Sequence, residues 1–178
     1  MSYPIIILLL ICTIMGITLK FADYFGEQKR GNLAYVSAGL AAVCLSIIVT
    51  VNSSYAAIFF GIMLGVTLAG KVDQLNMVFG VILTIVLTFF FGFQIPDISL
   101  LIISSLAALL DEIGHGTKGV PPFLLQFFRY RMILKVIIIL LAISMRIHYY
   151  LAVGFFCFDL SYDLVNLWIS SNRTDINS

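Results

Sequence analysis

The stretch LAYVSAGLAAVCLSIIVTVNSSYAAIFFGIMLGVTLAG, residues 33–70, decides the fold, because it carries no charged side chain and its polar residues cluster only at Asn52-Ser53-Ser54. That cluster divides it into two apolar runs, 33–51 and 55–70, each close to the roughly 20 residues a helix needs to cross about 30 Å of hydrocarbon. Further runs lie on both sides, 4–21 before it and 77–93, 96–110, 127–145 and 149–169 after it. The pattern predicts an all-α polytopic membrane bundle of about seven transmembrane helices. Six is the rival count, because run 96–110 is short and residues 123–128 could form a separate interfacial helix after Pro121-Pro122. One transmembrane domain over residues 1–170 and a short polar C-terminal tail over 171–178 are expected. The first run is read as an uncleaved span, since no Lys or Arg precedes it and no small-residue cleavage pattern follows it.

Composition points the same way. Of 178 residues, 61% are hydrophobic and 11% charged, with a mean hydropathy of +1.09; soluble domains hold about 45–50% apolar and about 25% charged residues. Lys and Arg number ten against nine Asp and Glu, and no basic run exceeds Lys29-Arg30. Nucleic acid is therefore not an expected partner, since phosphate backbones require clustered cations. Cys12, Cys44 and Cys157 sit inside apolar runs without paired spacing and read as buried small hydrophobes.

Basic residues mark the retained side of a membrane. Lys20, Lys29 and Arg30 fall in the first connection, Lys71 in the third, and Lys118, Arg129 and Arg131 in the fifth, with Lys135 just beyond. The second and fourth connections hold none. The N-terminus is thus expected outside and, with seven spans, the C-terminus in the cytoplasm; Arg146 alone stands on the other side. Gly61 and Gly65, like Ala38 and Ala42, are four apart, which suits close helix approach. Packing within the bundle is their first reading, and a homo-oligomer through the Gly61/Gly65 face is the second.

The acidic residues repay a count of depth. Crossings of about 20 residues that start at Pro4, Tyr55 and Pro96 end near Asp23, Gln74 and His115. Asp23, Asp73 and Asp111 are therefore expected at one cytoplasmic level. Residues three or four apart share a helix face, which pairs Asp23 with Glu27, Glu112 and Asp111 with His115, and Asp159 with Asp163. Carboxylates in this number favour a hard divalent cation, Mg2+ or Mn2+, with Asp23, Glu27, Asp73, Asp111 and Asp163 as its ligands. Lys71, Arg129 and Arg131 are the expected phosphate partners, since Arg forks onto phosphate and Lys supplies a point charge. Glu112 and His115 are the expected proton carriers. A carboxylate near the bilayer centre costs roughly 2.5–3.5 kcal/mol, so Asp159 and Lys135 are read as a buried ion pair or relay.

Three classes of function follow. The first is a cation-assisted enzyme acting at the cytoplasmic leaflet on a lipid or isoprenoid phosphate, although no Asp-x-x-Asp or Ser-Gly-His motif marks one. The second is a small ion- or proton-coupled transporter or channel with Asp159, Asp163 and Glu112 as relay. In the third, a structural subunit of a membrane complex, the charges serve topology alone.

Overall fold

The computed structural model describes residues 4–117 and 121–176, with side chains except at 122, 125, 129 and 173–176. Among the described residues it is all-helical. The elements are α1 (Ile5–Glu27), α2 (Gly31–Val49), α3 (Ser53–Leu68), α4 (Leu75–Phe91), α5 (Ile98–Gly116), α6 (Pro122–Arg129), α7 (Met132–Ile143) and α8 (Tyr149–Ile176). Four of them, α1, α2, α5 and α8, are long and apolar enough to cross a membrane, and α3, α4 and α7 are shorter apolar helices.

Local chemistry places the ends. Asn52 caps α3 by accepting the Tyr55 N–H at 2.9 Å, and Asp97 caps α5 by accepting the N–H groups of Ser99 and Leu100, the usual work of such side chains. Pro121-Pro122 opens α6, where a missing N–H costs nothing. At the end of α3, Gly70 (φ +71°) lets the Lys71 N–H reach Val66 O while its own reaches Thr67 O, the paired closure that satisfies the last carbonyls. Lys29 and Met145 close α1 and α7 in the same way despite positive φ without glycine.

One expectation changes. Run 127–145 is not one helix, because the chain breaks at Tyr130-Arg131 and Arg131 adopts φ +51° between α6 and α7. Helix α8 continues to Ile176, into the expected polar tail, whose last two residues lie outside the described residues.

Six helices form a closed ring in the order α1, α8, α7, α5, α3, α2, with α4 outside against α2 and α6 on α5. Small and hydroxylated residues make the seams. A Cβ on Gly61 would meet Ser104 Oγ and, at 2.8 Å, Leu101 O; one on Gly65 would meet Ser105 O. The Gly61/Gly65 face is thus packed between α3 and α5, the first of its two readings. Gly16 likewise admits Ser161 and Phe158 of α8. Ser161 Oγ donates to Thr13 O at 3.0 Å, Ser104 Oγ approaches Ala57 O at 3.3 Å and Ser46 Oγ approaches Thr84 O at 3.3 Å. Toward the end where α1 begins, Tyr55, Ile58, Ile138, Leu151 and Phe155 are buried in one core cluster.

Candidate functional site

At the opposite end, where α1, α3, α5 and α8 finish, the helices enclose a cavity of about 660 Å³, within the roughly 300–1,000 Å³ usual for ligand pockets. Its mouth is ionic. α1 contributes Lys20, Asp23 and Glu27, and the turn from α3 to α4 contributes Lys71, Asp73 and Gln74. Glu112 and His115 come from the last turns of α5, Tyr162, Asp163 and Asn166 from α8, and Arg131 from the break before α7. Further in, the wall is apolar, built by Ala42 and Leu45 of α2, Ile62 and Met63 of α3, and Met77 and Val81 of α4.

Tyr162 organises the mouth. Lys20 Nζ lies 5.1 Å from its ring centroid and the Arg131 guanidinium carbon 4.8 Å, contacts worth about 0.5–1 kcal/mol when exposed and more when desolvated. Its hydroxyl donates to Asp23 Oδ2 at 3.4 Å, and Lys20 Nζ lies 2.8 Å from the same oxygen. Arg131 Nη2 is 3.4 Å from Glu112 Oε1. Behind them Lys135 Nζ bridges Asp159 Oδ2 at 2.7 Å and Asp163 Oδ2 at 3.4 Å, with Asp159 buried. Among the described residues no ion pair involves Lys71, Asp73 or His115. These three are the groups best placed to receive a ligand, because nothing must first be broken.

No family model, curated protein or solved structure matches this chain. The reading of the site rests on its own chemistry.

The structure brings eight of the sequence-derived candidates to the lining of one cavity: Asp23, Glu27, Lys71, Asp73, Glu112, His115, Arg131 and Asp163. Asp111 is elsewhere. Its two carboxylate oxygens accept the N–H groups of Ile133, at 3.1 Å, and Leu134, at 2.8 Å, so it caps α7 and does not line the cavity. The depth count could not show this, because the backbone it serves is more than twenty residues away in sequence. Lys135 and Asp159 pair outside the cavity wall, and the Arg129 side chain lies outside the described residues. Among the described residues, no three His, Cys, Asp or Glu side chains come together as a metal site.

Lys20, Tyr162, Gln74 and Asn166 were not singled out from sequence as site residues. Spacing carried a signal for three of them. Lys20 precedes Asp23 by three, and Asp159, Tyr162, Asp163 and Asn166 form one stripe at helical spacing. Gln74 carried none; its Oε1 is buried against Gly26 without a hydrogen-bond partner. Gly114 leaves the space that the Phe128 ring fills, which seats α6 on α5 and makes Phe128 part of the cavity wall.

Chemically, the mouth holds three cationic side chains, Lys20, Lys71 and Arg131, facing five carboxylates. A bare polyanion would meet net repulsion there. An anionic group accompanied by a divalent cation would not.

Proposed function

We propose that this chain is a polytopic membrane protein, with the cavity facing the cytoplasm, that acts on a lipid or isoprenoid phosphate with help from Mg2+ or Mn2+. One observation carries the reading: a single cavity joins an ionic mouth to an apolar inner wall, which is the division of chemistry within such a substrate. The apolar character of seven helices supports the membrane setting, and the basic residues gathered at the cavity end support the orientation.

Lys71 and Arg131 would hold phosphate oxygens, the second from a guanidinium already fixed on Tyr162 and Glu112. Mg2+ is commonly held by one or two carboxylates together with substrate phosphates. One or two of Asp23, Glu27, Asp73 and Asp163, which all line the cavity, would hold a cation shared with the substrate, without a three-residue protein cage. The cation would offset charge on the leaving group. His115 or Glu112 would move the proton, and His115 is the less encumbered of the two.

The relay of a proton-coupled carrier would have to continue from Lys135 and Asp159 past Ile138, Leu151 and Phe155, all buried and apolar. That path supports the carrier reading less well.

The test is thermal stabilisation of the purified protein by Mg2+ together with a long-chain alkyl phosphate. Wild type is expected to be stabilised by the pair more than by either alone. Asp73→Asn should lose the dependence on the cation, and Lys71→Gln should lose the response to phosphate. Stabilisation that is unchanged in both variants would remove the site from the reading.

A further inference from the structure

The apolar part of the cavity has a side as well as a depth. α3 and α4 each pack on α2 but are not a packed pair with one another, while Met63 and Val66 of α3 and Met77 and Val81 of α4 line the same cavity. Its floor is the α2 surface of Ala38, Ala41 and Ala42, on which α4 packs closely at Gly80. From Met77 to Thr84 the wall rises about 10 Å at 1.5 Å per residue. At the other end of the cleft the rings of Phe60 and Phe93 meet at 6.5 Å, which closes it. Outside, the flanking residues Leu64, Leu68 and Val78 are exposed and apolar.

We infer that the cleft between α3 and α4 is a lateral portal for one hydrocarbon chain of a bilayer lipid whose phosphate headgroup sits among Lys71, Asp73 and Arg131. The inference rests on the proposed function and adds to it the origin of the substrate. A cavity of about 660 Å³ cannot enclose a whole membrane lipid beside its headgroup, so the remainder of the chain leaves sideways, among the exposed apolar residues of α3 and α4. The polar mouth, with the divalent cation of the proposed function offsetting its excess of carboxylates, takes the anionic end, and continuity of the apolar wall sets where the chain runs. A free phosphate ester of the same headgroup chemistry would leave the cleft unused.

The experiment uses the full chain in phosphatidylcholine vesicles with Mg2+ and hexadecyl phosphate that carries a diazirine midway along its chain. Labelled residues are mapped after illumination, with and without an excess of unlabelled hexadecyl phosphate. Labelling that the excess competes away is expected at cavity-facing positions of α3 and α4, near Met63, Val66, Met77 and Val81. Val81→Trp fills the cleft and should reduce that labelling by about tenfold or more, given the loss of several buried methylenes. Stabilisation of the same variant by butyl phosphate and Mg2+ should persist. Competed labelling at other helices, with butyl phosphate still stabilising the protein, overturns the portal and leaves the headgroup site standing. No competed labelling together with no response to butyl phosphate overturns both. Equal response of wild type and Val81→Trp to the long-chain probe overturns the portal alone.

Discussion

Arg131 occupies a left-handed backbone conformation, φ +51°, which costs an ordinary L-residue roughly 1–2 kcal/mol. The surroundings hold it there: it is the N-cap of α7, its N–H reaches Phe128 O of α6, and the two N–H groups that Asp111 accepts follow two and three residues on. Asp111 therefore acts on the cavity through Arg131. Asp111→Ala is expected to destabilise the protein by about 1–2 kcal/mol, the scale of a lost cap, and to weaken phosphate binding as the guanidinium loses its seat. Asp111→Asn, which keeps one acceptor oxygen, should do less of both. Denaturant unfolding and the phosphate response of each variant check this.

Asp97 offers a pH test at the opposite end. Its carboxyl lies below the usual carboxylate range, first because the Ser99 hydroxyl donates to it and then because the Leu100 N–H does. A depressed folded value means that the stabilisation is present above the unfolded value and is lost as pH falls through the folded one. The Tm difference between wild type and Asp97→Ala should be constant near neutrality and shrink in acid. A difference that widens in acid would overturn the assignment.

At the scale of elements, α7 is the informative one. With 12 residues it spans only about 18 Å, and its tie to α8 includes the bridge from Lys135 to Asp159 and Asp163. Removing one partner of a buried pair leaves the other uncompensated and costs about 3–5 kcal/mol. Lys135→Ala should show a loss of that order in thermal or denaturant unfolding, and adding Asp159→Asn should recover much of it. If the double variant is as unstable as the sum of the single ones, the bridge is not what joins these helices.

The apolar runs were legible because hydropathy and turn residues mark them directly, as at Asn52 and at Gly70. The start of α6 was legible at Pro121-Pro122. Its end was not, since an arginine takes the left-handed position where a glycine would have announced it. The ionic mouth was half legible for a similar reason. Depth along a helix can be counted, so Asp23, Asp73 and Asp111 are expected at one level, but rotation about the axis cannot. Asp111, one residue from Glu112, faces α7 instead of the cavity.

On the scale of the whole molecule, the ring sorts charge to one end and leaves the other end with Asp97, Arg146 and His148. Arg146 donates to Ser99 there and His148 stacks on Tyr150. The orientation that follows is testable in sealed vesicles on a background without Cys12, Cys44 and Cys157. Lys71→Cys should react with an impermeant maleimide only from the cytoplasmic side, and Gln94→Cys only from the outside. The reverse pattern would invert the topology and move the cavity to the other leaflet.

The hydroxyls at the seams bear on how such a chain is made. Ser46, Thr84 and Ser104 each donate to the carbonyl four residues back in their own helix, so each helix leaves the ribosome with these groups already satisfied. A translocon can release such helices singly, and assembly can wait. Lys135 and Asp159 are different, because on the membrane reading proposed above each would be a lone charge in lipid until the other arrives. That reading would couple the biosynthesis of the last two apolar helices: α7 would linger beside the translocon until α8 has been translated, and the two would leave as a hairpin.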